Sequence, residues 1–374
     1  MSPSTPNDPV WPAFPEAAKF ICAARLGDAV LAGLGTAGAR WWRLDLRRPD
    51  AGWTRLADYP GGWRESASAV AVGGQVLVFG GQGRTRPEDA FHRVDDSVFR
   101  YEPATDTWSR LTIQPPMGLL ASAVHVPDER TVLFFGGVNP AVFDGHNRAC
   151  HEATSRGDTE ALPQLQAAYF NRRPQDYFFS REVVACDVPT GSWQRVGSLP
   201  GTPFIGAGVA ACGRELALAG GEIKPGLRTP LVTTATIHGG ASSGWQIEWS
   251  AEPLPPPPWA EVQDGLAGAH AGHSLGVWMV AGGASFPGSR QQFAQGMLWA
   301  HRGLRKVWHA DIYARVDGRW RVAGTLPEGR GYGAEVQLDD SLLLIGGETQ
   351  DGHATAALTE LRWSVDEQVV QVLG

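Results

Sequence analysis

A carboxylate and two cations stand close together in the stretch Gly220-Gly-Glu222-Ile-Lys224-Pro-Gly-Leu-Arg228-Thr229. A positioned carboxylate can take a proton from a hydroxyl, and a planar guanidinium can hold both oxygens of another carboxylate. Glu222 and Arg228 are six residues apart with a Pro-Gly bend between them. Further residues of matching chemistry are scattered along the chain: Arg64, Asn139, Arg290, Arg330 and Glu348. Gathered in one place they would form a cup suited to a small ligand that carries a carboxylate. Their use depends on the elements that position them.

A repeat supplies those elements. A short apolar run ending in paired glycines recurs as Val76-Leu-Val-Phe-Gly-Gly81, Val132-Leu-Phe-Phe-Gly-Gly137, Leu216-Ala-Leu-Ala-Gly-Gly221, Trp278-Met-Val-Ala-Gly-Gly283 and Leu342-Leu-Leu-Ile-Gly-Gly347. A looser copy, Ala29-Val-Leu-Ala-Gly-Leu-Gly35, precedes them. Each copy follows a strand of small residues and a tight turn. Most precede a second hairpin carrying a tryptophan, such as Trp108, Trp193 or Trp320. Four antiparallel strands per unit, with a diglycine after the second, describe a blade of the Kelch type. Six units predict an all-β, six-bladed propeller that fills residues 1–374 as one domain, with an extension over 1–18. Whether residues 8–18 clasp the ring as a strand or merely cap it stays open at this stage.

An up-and-down blade places the loop before its first strand and the loop between its second and third strands at the same end. In this chain those loops are the long, arginine-bearing ones. They include the insertion 139–180, whose stretch from Glu160 to Phe170 reads as a short helix. Long loops on one face of a rigid ring are where binding and catalysis usually sit.

Composition narrows the class. The chain has 47 glycines, 27 prolines and 15 tryptophans with only 19% charged residues, which favours turns and packing over helix surface. A net charge of −7 argues against nucleic acid as a partner. No apolar run is long enough to span a bilayer, and no secretory leader is visible, so a cytoplasmic location is expected for the chain as given. Of 32 basic residues only Lys19, Lys224 and Lys306 are lysines, which makes Lys224 in a functional-looking loop conspicuous. Cys22, Cys186 and Cys212 lie in apolar strand-like runs and read as core. No cofactor or metal is expected, and homodimer formation is left open.

The loop segments add a resemblance. Gly220 to Thr229 resembles the Gly-Glu-x-Lys-Pro-Gly-Leu-Arg-Thr segment of the N-acetylneuraminate epimerase (sialic acid mutarotase) family. The likeness extends to Gly33-Leu-Gly-Thr-Ala-Gly38, Tyr59-Pro-Gly-Gly62 with Arg64, Gly136-Gly-Val-Asn139, Asp176-Tyr-Phe-Phe179, Gly288-Ser-Arg290, Ala300-His301 and Gly346-Gly-Glu-Thr349. It implies an isomerase that interconverts the α and β anomers of N-acetylneuraminate, with Glu222 as proton acceptor and Arg228 required for activity. It also implies a periplasmic location as the alternative to the cytoplasm. Arg64, Lys224, Arg290, Arg330, Asn139 and Glu348 are then the candidate substrate contacts, with Arg290 and Arg64 favoured among the cations.

Rival readings are a Kelch interaction module and a mutarotase for a related sugar acid. A sialidase would need Asp-box repeats, and none is present. His270 and His273 share one inner strand at a spacing that turns them to opposite faces. His146, Cys150 and His151 cluster in the insertion without an evident fourth ligand for zinc.

Overall fold

The computed structural model describes residues 11–86 and 88–374. Six four-stranded antiparallel sheets follow one another along the chain. Their inner strands are Cys22–Leu26, Ser68–Val72, Ala123–His125, Gly208–Cys212, His270–Ser274 and Ala334–Gln337, which define blades 1 to 6.

Residue type tracks distance from the axis. Inner strands such as Ser68-Ala-Val-Ala-Val72 alternate buried and half-buried small residues, because six of them converge on one tunnel. Second strands such as Gln75-Val-Leu-Val-Phe79 are buried on both faces beyond their first residue, since a neighbouring blade lies on each side. Outer strands such as Gly244–Pro253 are largely exposed.

Aromatic rings fill the outward-widening gaps between blades. Trp108 on blade 2 packs at 5.3 Å from Trp41 of blade 1 and at 5.1 Å from Tyr59. Trp193 and Phe134 of blade 3 similarly meet Phe79 of blade 2. The first glycine of each diglycine is forced by backbone proximity: a Cβ on Gly220 (φ +67°) would lie 2.3 Å from the Leu266 carbonyl of the next blade.

A closed ring of backbone hydrogen bonds surrounds the tunnel mouth. The residue two positions before each inner strand donates its N–H to the corresponding carbonyl of the preceding blade. The sequence runs Ser66 to Phe20, Ala121 to Ser66, Gly206 to Ala121, Gly268 to Gly206, Tyr332 to Gly268 and Phe20 to Tyr332, at 2.6 to 3.2 Å. All six rim residues have positive φ, between +49° and +68°. Four of them are not glycine, at a cost on the order of 1 kcal/mol each that the shared ring offsets.

Blades 1 and 6 are each built from one continuous stretch of chain, so among the described residues no strand is exchanged to close the propeller. Residues 11–18 form no strand and lie over the seam as a cap. Phe14 donates its N–H to Ala356 and wedges its ring edge-on against Trp42 and Trp53. The rest of the extension, residues 1–10, lies outside the described residues.

The insertion between the second and third strands of blade 3 folds into α1 (Pro140–Ser155), α2 (Ala161–Phe170) and a 3-10 turn over Pro174–Tyr177. A shorter helix, α3 (Ser289–Ala294), occupies the corresponding loop of blade 5. No described helix is long and apolar enough to cross a membrane. One expectation needs correcting: Cys212 is exposed at the end of its strand, while Cys22 and Cys186 are buried.

Candidate active site

Glu222–Lys224 and Leu227–Arg228 form a small hairpin just beyond the blade 4 diglycine. Its register sets Glu222 directly across from Arg228, so their side chains share one face. Arg228 NH2 lies 2.7 Å from Glu222 Oε1, which also accepts from the Gly226 N–H at 3.4 Å. Glu222 Oε2 has no hydrogen bond among the described residues. The Pro-Gly bend therefore does what its spacing suggested.

Arg228 is almost wholly buried, with its guanidinium 4.6 Å from the centre of the Phe286 ring. Its NH2 also donates to the Tyr332 hydroxyl at 3.4 Å. Burial opposes its charge, but Glu222 and Tyr332 outweigh that and raise its pKa above the ordinary arginine value. Nε and NH1 lack partners among the described residues. Two donors are thus held ready in a dry setting.

Lys224 proves to be a support for this hairpin. Its ammonium donates to the carbonyls of Phe170, Arg172 and Leu298 at 2.8, 2.6 and 2.5 Å. Three acceptors use all three ammonium hydrogens. Burial brings its pKa down to about 8, so the group is still charged at neutral pH. By this means the end of α2 and the loop after α3 are tied behind the hairpin.

His301 packs against the bend itself, since a Cβ on Gly226 would lie 1.7 Å from its Nδ1. Burial, then Arg228 and Lys224, lower its pKa to about 4, so the ring is neutral near pH 7. Trp299 donates its indole N–H to Nε2 at 3.2 Å. Phe170 and Phe286 flank the imidazole at 4.8 Å. Tyr169 and Tyr177, whose phenols burial pushes upward with Glu222 adding to the shift, complete an aromatic wall.

A second charged cluster occupies the equivalent place on blade 6. Glu348, like Glu222, directly follows a diglycine and pairs with the segment before its inner strand. Its Oε2 accepts from Lys19 at 2.5 Å, and its Oε1 accepts from Trp308 at 3.0 Å and from Lys306. Burial would raise this carboxyl's pKa, but the hydrogen bonds from the two lysines outweigh it and hold the group below the usual range. Glu65 lies nearby; burial raises its pKa, Glu348 adds to the shift and Lys19 opposes it.

The remaining candidates divide. Arg290, on α3, is half-buried and donates to the Arg228 carbonyl at 3.3 Å, so it borders the hairpin. Arg64 is fully buried and spends its donors on Asp95, Ser97 and the carbonyls of Gly61 and Gly80. Both terminal nitrogens are engaged and the remaining Nε is buried without a partner, which makes the residue a strut of blade 2. Arg330 is buried at the matching place on blade 6 and donates to the Ala357 carbonyl at 3.3 Å. Burial lowers its pKa to about 10. Asn139 caps α1 by accepting from the Ala141 N–H.

Sequence reasoning passed over Tyr332, Lys19, Lys306 and His301 as site residues. The rarity of lysine was the available signal, because all three lysines support this one face. Among the described residues no group of three or more His, Cys, Asp or Glu side chains could hold a metal ion. The tunnel below the mouth has a volume of about 440 Å³ and is walled by the inner strands of all six blades.

Known proteins match this chain over nearly its whole length. The family model described as N-acetylneuraminate epimerase matches residues 11–370. An N-acetylneuraminate epimerase of Yersinia enterocolitica is 42% identical over 354 residues, covering 94% of this chain and 88% of its own length. One from Haemophilus influenzae is 38% identical over 368 residues, covering 98% and 95%. The solved structure of YjhT superposes with a TM-score of 0.89 at 35% identity, covering 97% of this chain and 99% of that one.

Proposed function

The chain belongs to the N-acetylneuraminate epimerase family, and on that premise we propose how its mouth carries out the reaction. The protein is an isomerase of N-acetylneuraminate, a six-membered cyclic hemiketal bearing a carboxylate. Exchange of its anomers requires the anomeric hydroxyl to lose a proton while the ring oxygen gains one. The ring opens to a ketone, the ketone turns, and closure gives the other anomer.

In this reading Glu222 is the base. The observation that carries it is the asymmetric carboxylate: Oε1 is held by Arg228 and Gly226, while Oε2 is left as an acceptor for a hydroxyl proton. A positioned base of this kind contributes ~100- to 10,000-fold. Arg228, with unpartnered Nε and NH1, supplies donors for the sugar's carboxylate. Arg290 braces the hairpin through the Arg228 carbonyl. Lys224 and His301 hold the hairpin in place, and the neutral His301 does so without adding a further cation.

The test is direct. Freshly released α-N-acetylneuraminate is followed by one-dimensional NMR with and without the protein. Faster approach to the anomeric equilibrium supports the reading, and an unchanged rate at high protein concentration removes it.

A further inference from the structure

We propose that Tyr332 is the proton donor to the ring oxygen, the acid that complements Glu222. This inference rests on the epimerase reading above and extends it to a residue that no motif marked.

Three observations converge on this side chain. Its hydroxyl lies 3.4 Å from Arg228 NH2, the same nitrogen that holds Glu222 Oε1 at 2.7 Å. Base and phenol are therefore at most two hydrogen-bond lengths apart, with one guanidinium nitrogen between them. The Lys306 ammonium sits 4.3 Å from the centre of the Tyr332 ring. Glu348 and the Trp308 ring keep it there. Finally, the backbone of Tyr332 is one link of the hydrogen-bonded ring at the tunnel rim.

The rim is what fixes this geometry. A bulky aromatic at φ +56° is strained, and only tertiary structure that over-determines the position retains it. The other five rim residues are Phe20, Ser66, Ala121, Gly206 and Gly268. None of them combines a phenol with a neighbouring guanidinium. The half-buried Tyr332 thus reaches across from blade 6 to the blade 4 hairpin.

The step balances without an added reactant. Glu222 takes the proton of the anomeric hydroxyl, and that oxygen's electron pair forms the ketone. The bond from the anomeric carbon to the ring oxygen breaks, its electron pair stays on the ring oxygen, and Tyr332 supplies the proton. Arg228 and Lys306 stabilise the negative charge that develops on the phenol oxygen. Closure reverses both transfers: the phenolate takes back the proton of the attacking hydroxyl, and the Glu222 carboxyl returns its own to the ketone oxygen. Both groups end as they began.

The experiment compares wild type with Tyr332→Phe, which keeps the ring, its packing and the backbone link. The expected result is a fall in kcat of about 100-fold with KM changed little. A second arm replaces Tyr332 by 3,5-difluorotyrosine, which retains a hydroxyl but makes it more acidic. The groups facing it are Arg228 from the hairpin and Lys306 from the blade 5 loop, with Glu222, Glu348 and Lys19 behind them. A general acid must be protonated to act, so the alkaline fall in kcat moves to lower pH in the fluorinated protein. A residue serving only to pack would not move that limb. Tyr332→Phe with kcat within about threefold of wild type, or an alkaline limb that stays in place, overturns the proposal. In either case wild-type acceleration in the same experiment leaves the epimerase reading standing. Absence of wild-type acceleration would remove both.

Discussion

Glu222 and Glu348 occupy the same place in the repeat, one residue after a diglycine, on blades 4 and 6. Their surroundings differ in one decisive respect. Glu348 has both oxygens taken, by Lys19 on one side and by Lys306 and Trp308 on the other. Glu222 has one oxygen taken and one open. Position in the repeat therefore supplies a carboxylate at the mouth, and the neighbouring donors decide whether it reacts or holds structure. A carboxylate held on both oxygens, with two lysines as counter-charges, is a poorer base for a substrate proton than one with a whole oxygen open.

The contrast can be broken from either side. The largest expected effect is on the open carboxylate: Glu222→Gln lowers the catalysed anomerisation rate by about 100-fold or more, measured by NMR. Its thermal unfolding midpoint also falls, because the buried Arg228 loses its counter-charge even though the amide oxygen can still accept from it. Glu348→Gln acts chiefly on stability. It leaves two lysines without their counter-charge and costs about 2 kcal/mol in denaturant unfolding, with a much smaller effect on rate.

Lys224→Arg tests the support behind the open site. A planar guanidinium cannot match three converging carbonyls, and the larger group must displace α2 or the loop after α3. A loss of about 1 to 2 kcal/mol in stability is expected, with a loss in kcat smaller than that of Glu222→Gln.

The smallest effect concerns acid. The Glu348 carboxyl has a depressed pKa in the folded state, so between that value and the ordinary one of about 4.3 the unfolded chain binds more protons. Its contribution to stability is present above about pH 4.3 and is lost as pH falls through the lower folded value. Unfolding midpoints measured down this range should fall more steeply in wild type than in Glu348→Gln.

Much of the fold was legible because its cause is repetitive. Each diglycine marks a close backbone approach, and each wedge tryptophan marks a gap between blades, so the same local demand is written in successive blades. The Glu222–Arg228 pairing was legible too, since a Pro-Gly bend leaves few geometries. Arg64 and Arg330 were not. An arginine before an inner strand can turn to the mouth or into its own blade, and the partner that captures Arg64, Asp95, lies 31 residues further on. Asn139 followed a diglycine into a loop and was read as a contact, although the proline after it marked a helix start. Tyr332 was hidden because its role depends on the rim ring, which joins residues from all six blades and has no signature within any one of them.

The central claim is that one open carboxylate performs the proton transfer, and chemical rescue tests it most directly. Glu222→Ala removes that carboxylate and leaves a space beside Arg228. Added formate should then restore anomerisation of α-N-acetylneuraminate in proportion to its concentration, while wild type and Glu348→Ala gain nothing beyond the formate-catalysed background. A Glu222→Ala protein that equilibrates the anomers at the wild-type rate without formate would contradict the account.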